Sequence, residues 1–112
     1  MGATNIENWG VGPDMRTVFT SLVDDALHYY GHDPYNGTIS TIDGYRDKTK
    51  LLNDMLNLKS RKTKKWIHTC VDQFREKAWD VCDKRECWAA EVYSPKSTKK
   101  KKQFIFVGWA AE

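Results

Sequence analysis

The stretch Met15-Arg16-Thr17-Val18-Phe19-Thr20-Ser21-Leu22-Val23-Asp24-Asp25-Ala26-Leu27-His28-Tyr29-Tyr30 decides the reading of the whole chain. Its apolar residues Met15, Val18, Phe19, Leu22, Val23, Ala26, Leu27 and Tyr30 recur at steps of three and four, which puts them on one stripe of an α-helix. Asp14 is placed to accept the unpaired amide protons at its start, and Gly31 to take the left-handed turn at its end. Asp24 and Asp25 read as part of the solvated face. A helix with one apolar stripe needs a partner surface, and the sequence on either side must supply it.

On the N-terminal side, Thr4 to Trp9 reads as an edge strand before the turn-forming Gly10-Val11-Gly12-Pro13. On the C-terminal side, Gly31-His32-Asp33-Pro34-Tyr35-Asn36-Gly37 gathers turn-forming residue types. The β-branched run Thr38-Ile39-Ser40-Thr41-Ile42 then reads as a short strand. Leu51, Leu52, Met55, Leu56 and Leu58 suit a modest helix within Asp43 to Leu58. Ile67, Cys70, Val71, Phe74, Ala78, Val81 and Cys82 call for a second long helix from about Thr63 to about Asp83. In the tail, Trp88 to Tyr93 and Gln103 to Trp109 read as two antiparallel strands joined by the polar stretch Ser94 to Lys102.

The expected fold class is therefore α+β, in the order β-α-β-α-α-β-β, with a mostly antiparallel sheet. The two main helices lie on one face of it, giving two layers. At 112 residues the chain makes one domain, 1–112. Hydrophobic residues at 40% and charged residues at 29% keep it out of the disordered range. Apolar runs fall far short of the roughly 18–20 residues that cross a bilayer, and the N-terminus has no basic flank or apolar core of a signal peptide. The expectation is a cytoplasmic protein with no membrane partner. The odd cysteine count, Cys70, Cys82 and Cys87, argues for reduced thiols rather than a disulfide framework.

Charge is segregated. Residues 1–45 carry one base against six acids, a net of −5, whereas residues 46–112 carry 17 bases against nine acids, a net of +8. Such polarity suits an anionic partner or head-to-tail pairing, and a homodimer is weakly favoured.

No phosphate loop, nucleophile elbow, HExxH helix or paired CxxC motif occurs, so no catalytic residue is assigned and an enzyme is the less favoured class. His68, Cys70, Cys82 and Cys87 have the number but not the spacing of a zinc site, because His68 and Cys70 point to different sides of a helix. No metal or other cofactor is expected. The loop residues His32, Asp33, Tyr35, Asn36 and Thr38, together with Trp109 near the other end, form the candidate ligand- or partner-binding set. A self-stabilised turn is the plainer alternative for the loop. Two basic clusters offer a nucleic-acid alternative: Lys62, Lys64 and Lys65, and Lys100, Lys101 and Lys102, with Trp66, Phe104 or Trp109 for stacking, provided that both clusters share one side. A third reading centres a minor enzyme on His32, Asp33 and Tyr35. Trp9 and Trp109, near the ends, are the tryptophans expected to be exposed.

The segment Tyr30-Gly31-His32-Asp33-Pro34-Tyr35-Asn36-Gly37-Thr38-Ile39-Ser40-Thr41, preceded by Met1-Gly2-Ala3 and closed by Phe104-Ile105-Phe106-Val107-Gly108-Trp109-Ala110-Ala111, resembles a group of small proteins encoded by tailed bacteriophages. The likeness covers both ends and fades between Arg46 and Ser94. It implies an accessory protein of the infected bacterial cytoplasm that works by stoichiometric binding. Such a protein blocks a host or defence protein or sequesters a small signalling nucleotide.

Overall fold

The computed structural model describes residues 2–112. Four strands form one sheet in the order β1-β4-β3-β2: β1 (Ala3–Gly12), β2 (Gly44–Asp47), β3 (Glu86–Val92) and β4 (Lys102–Ala111). β1 and β3 flank β4 antiparallel, and the short β2 runs parallel to β3 at the far edge. Three helices join them: α1 (Met15–Tyr30), α2 (Thr49–Leu56) and α3 (Lys64–Val81). The α+β class and the order β-α-β-α-α-β-β are those expected from the sequence. No helix among the described residues is long and apolar enough to cross a membrane.

The helices are arranged differently from the expectation: α1 and α3 lie on opposite faces of the sheet, so the protein has three layers. On one face α1 packs through Met15, Val18 and Ala26 over Ile6, Cys87, Ala89, Phe104, Phe106 and Ala110. On the other, α2 and α3 pack through Leu52, Leu56, Cys70, Val71, Phe74 and Ala78 over Trp88, Ala90, Val92, Ile105 and Val107. The physical reason lies in the two central strands. Side chains alternate between faces along a strand, so Trp88-Ala89-Ala90 and Phe104-Ile105-Phe106-Val107, apolar at every position and buried, present oily surface on both sides. A helix on one face alone would leave half of it in water, at roughly 1.5–3 kcal/mol for each large side chain.

Close approach of backbone fixes the joints. Gly10 and Gly12 on β1 receive α1: a Cβ at Gly12 would stand 2.7 Å from Val18 Cγ2. Gly108 on β4 lies against the backbone of Glu86 and Cys87 and has no room for a side chain. Phe19, Tyr45 and Phe106 close the α1 layer as an aromatic cluster with ring centres 5.0–5.9 Å apart. Both expected helix ends of α1 are present: Asp14 Oδ1 accepts from the Thr17 amide at 2.8 Å, and Gly31 takes φ +79°.

The strand expected at Thr38 to Ile42 is instead a single 3-10 turn, Ile39–Thr41, and the strand comes later as β2. Thr38 Oγ1 accepts from the Ser40 amide at 3.3 Å, and the Thr41 and Ile42 amides bond back to the carbonyls of Thr38 and Ile39 at 3.0 Å. Local side-chain and turn bonds thereby claim the groups that a sheet ladder would need.

Candidate nucleic-acid interface

The loop from His32 to Thr38 is built largely for its own stability. Asn36 Oδ1 accepts from the Thr38 amide at 3.1 Å and from Thr38 Oγ1 at 2.7 Å. Asn36 Nδ2 donates to the Gly31 carbonyl at 3.3 Å and to Ser40 Oγ at 3.2 Å. Gly37, at φ +73°, donates its amide to the Ala111 carbonyl at 2.7 Å. The buried Thr41 hydroxyl donates to the Thr38 carbonyl and accepts from the Ala111 amide, both at 2.9 Å. Asn36 and Thr38 are therefore half-buried and internally matched. Asp33 Oδ1 caps the Tyr35 amide at 2.9 Å, and His32, Asp33 and Tyr35 remain exposed.

Arg85 ties this loop to the sheet. Its backbone sits at φ +73°, a conformation uncommon outside glycine, and is held there by bonds on every side. Its amide donates to the Trp109 carbonyl at 2.7 Å, and its carbonyl accepts from the Asp43 amide at 3.1 Å. Its guanidinium donates to the Pro34 carbonyl at 3.1 Å and the Thr41 carbonyl at 3.3 Å, beneath the Tyr35 ring at 5.3 Å.

Trp109 does not join the loop residues. Its side chain lies half-buried on the α3 face, where Nε1 donates to the Trp79 carbonyl at 2.8 Å, so the exposure expected for it is corrected. Strand alternation sends it there, since its neighbours Gly108 and Ala110 face α1.

The lysine clusters fare differently. A groove of about 750 Å³ opens between the first half of α3 and the α3 face of the sheet. Ile67, His68 and Val71 form its helical wall, Glu7, Trp9, Val92 and Gln103 its floor, and Tyr93, Ser94 and Pro95 its end. Lys64 and Lys65 stand on its rim in the first turn of α3, shortly after Lys62. At its end departs the β3–β4 connection, whose exposed tip, closed by the Thr98–Lys101 bridge, carries Lys99, Lys100 and Lys101. Lys102 opens β4 on the other face, near Asp14, and is separate from the groove. Of the two clusters, the structure sets Lys64 and Lys65 at the groove itself, whereas Lys99, Lys100 and Lys101 stand further along the connection that leaves from its end.

Within the groove, Trp9 and Tyr93 are 38% and 46% exposed, enough ring surface for an aromatic partner to stack on. Arg75 binds Glu7 and Asp72 together, and Trp9 Nε1 donates to Glu7 Oε2 at 2.7 Å. Burial pushes the Glu7 carboxyl up, but the hydrogen bonds from Arg75 and Trp9 and the Arg75 charge outweigh it and hold the pKa below the usual range. The floor's acid is thereby neutralised while the rim stays cationic. Beyond the rim a second concavity continues past Lys59, Arg61 and Thr63, with Lys59 Nζ 4.5 Å from the centre of the Trp66 ring.

α3 opens with Lys64-Lys65 and has no acid in its first turn, the reverse of what the helix dipole favours. Thr63 supplies the cap, its hydroxyl accepting from the Trp66 amide at 3.1 Å. The N-terminal amides and two ammonium groups concentrate positive potential at the groove mouth. Trp9 and Tyr93 are absent from the sequence-based site. The position of Trp9 near a chain end is its one signal, and Tyr93 gives none beyond ending a strand. Among the described residues no three His, Cys, Asp or Glu side chains gather as a metal site. Burial raises the Cys82 thiol to about 11 and the Cys87 thiol to about 12, which leaves neither a ready nucleophile.

No family model, curated protein or solved structure matches the chain.

Proposed function

We propose that this is a non-catalytic binding protein whose ligand is single-stranded nucleic acid, held in the groove between α3 and β1. The observation that carries the reading is a groove that Lys64 and Lys65 line and in which Trp9 and Tyr93 are exposed, with Ser94 and Pro95, the start of the lysine-bearing β3–β4 connection, at its end. Cations along a groove neutralise phosphates, and aromatic faces stack bases of any sequence, a combination suited to a splayed single strand. A duplex is disfavoured because a B-form groove is read by a projecting helix or ribbon, whereas this site is concave. Two lysines against the helix dipole are a local electrostatic conflict of about 0.3–1 kcal/mol each, of the kind retained where a function uses it.

Taken with the resemblance to tailed-bacteriophage proteins, the proposed role is that of an accessory protein in the infected bacterial cytoplasm. A second reading, contact with a host or defence protein through the His32 loop, is favoured by the exposure of Tyr29, Tyr30 and Tyr35 beside it. In that reading the contact is made by His32, Asp33 and Tyr35 rather than by Asn36 and Thr38, which are already engaged.

The test is fluorescence anisotropy with a labelled mixed-sequence single-stranded oligonucleotide at two salt concentrations. The expected result is binding at low salt that weakens steeply as salt rises. The slope of log K against log salt becomes shallower by about 0.7 for each phosphate that Lys64→Ala or Lys65→Ala leaves without its ammonium group. Absence of binding at low salt overturns the reading.

A further inference from the structure

The outer edge of β1 carries a long row of backbone donors and acceptors without a strand partner among the described residues. β1 runs in unbroken register against β4, from Ala3 opposite Ala111 to Gly12 opposite Lys102. The Glu112 amide donates to the Gly2 carbonyl at 3.2 Å, which fixes the phase. Thr4, Ile6, Asn8, Gly10 and Gly12 turn their amides towards β4, and Ala3, Asn5, Glu7, Trp9 and Val11 turn theirs outward.

Exposed edges are ordinarily guarded by lysine, proline, a bulge or shortness. The opposite edge fits that rule, for β2 has four residues and carries the exposed Arg46. β1 has ten residues, no lysine, no proline and no bulge, and its single charge, Glu7, is tied to Arg75. Trp9 and Val11, 38% and 62% exposed, flank the same edge.

We propose that two copies of this chain pair β1 to β1 in antiparallel fashion, joining their sheets into one across a two-fold axis perpendicular to it. A second copy is the occupant that matches the edge in length and, under a two-fold axis, in sequence: each outward donor meets an outward acceptor of an identical strand. The register that places Glu7 opposite Trp9 of the second copy, and Asn5 opposite Val11, keeps the two Glu7 carboxylates from facing each other.

An axis perpendicular to the sheet leaves both α3 helices on the same side. The two grooves then face each other over a shared floor containing Glu7, Trp9 and Val11 from both copies. One trough results, walled by two α3 helices, with a lysine-bearing β3–β4 connection at each end. At about 3.4 Å per residue, the two ends stand roughly 30 Å apart along the paired strands. The trough as a nucleic-acid channel rests on the proposed function, whereas the dimer does not.

Sedimentation velocity of the whole chain without nucleic acid, over about a hundredfold range of concentration, tests the dimer alongside amide hydrogen exchange. The expected result is a dimer with the Asn5, Glu7, Trp9 and Val11 amides protected, and protection rising with concentration. Asn5→Pro removes only an outward donor and is expected to raise the dimer dissociation constant at least tenfold. Val11→Lys, which supplies the missing edge guard without touching the backbone, serves as a second variant with the same expected direction. A monomer at every concentration overturns the proposal, and so does a dimer whose four outward amides exchange freely. Neither measurement contains nucleic acid, so a failed oligonucleotide titration sinks the groove reading and leaves the dimer standing.

Discussion

The Arg75 guanidinium on α3 grips the Glu7 carboxylate on β1 at two points, Nε to Oε1 at 2.5 Å and Nη2 to Oε2 at 3.0 Å, across 68 positions of sequence. Arg75 also holds Asp72 on its own helix, with Nη1 2.6 Å from Oδ1. Side-chain exposures of 20% and 27% put the Glu7 pair between a solvent-screened surface bridge and a buried one. Arg75→Ala is therefore expected to lower stability by about 1–2 kcal/mol, since a two-point pair is removed and the Glu7 side chain is left without its cation. Urea unfolding checks the figure, and a change below about 0.3 kcal/mol would place the pair among the inert surface bridges.

The same pair gives stability a dependence on acid. The Glu7 carboxyl is held below its ordinary 4.5 despite burial, by Arg75 and Trp9. Asp14 is held below 3.8 chiefly by the Thr17 amide and hydroxyl. For a carboxyl depressed in the folded state, the stabilisation is fully present above the unfolded value and is lost as pH falls through the folded one. The denaturation midpoint is expected to be flat from pH 7 to about 5 and to fall below about 4.5. In Glu7→Gln the fall should be shallower, because one of the two linked groups has gone.

Gly108 is a packing constraint rather than a turn. A Cβ there would run into the Glu86 carbonyl and the Cys87 backbone, neither of which can yield without opening the β3–β4 ladder. Gly108→Ala is expected to destabilise by about 3 kcal/mol or more, or to abolish soluble folded protein, whereas Gly44→Ala, with open space around it, should be near neutral. Thermal unfolding of the two variants side by side separates clash from a general dislike of alanine in strands.

The helices are legible because periodicity is a local signal: Met15 to Tyr30 and Ile67 to Ala78 announce α1 and α3 to within two or three residues. The layer count is legible too, in the unbroken apolar runs Trp88 to Ala90 and Phe104 to Val107, but only if alternation along the strand is weighed before the helices are placed. β2 is not legible. Gly44-Tyr45-Arg46-Asp47 has no strand pattern, and its pairing with β3 depends on the α1 layer holding Tyr45 against Phe19 and Phe106. The groove escapes for a similar reason. Its exposed rings and its lysines come from β1, α3 and the start of the β3–β4 connection, and tertiary packing alone brings Trp9, Lys64, Lys65 and Tyr93 together.

The three cysteines should behave as core residues. Cys70, Cys82 and Cys87 are buried, and burial raises all three thiols above their ordinary value. Native protein at pH 8 is expected to leave a thiol-reactive dye almost unreacted over minutes, and full reaction of three equivalents should follow addition of denaturant. Rapid labelling of Cys87 in native protein would show that the joint between β3 and the α1 layer opens readily.

The loop and the groove can be separated by one pair of variants. Asn36 spends its amide on Gly31, Thr38 and Ser40, so Asn36→Ala strands several half-buried partners and is expected to cost about 1–3 kcal/mol of stability. Its effect on oligonucleotide affinity under folding conditions should be small, because none of those groups borders the groove. Lys64→Ala with Lys65→Ala should do the opposite. Both side chains are exposed, so stability stays within about 0.5 kcal/mol while low-salt affinity drops. If affinity instead followed Asn36 and ignored the lysines, the ligand would have to sit against His32 and Tyr35. The binding surface would then lie on the loop beneath which Arg85 is held, and not between α3 and β1.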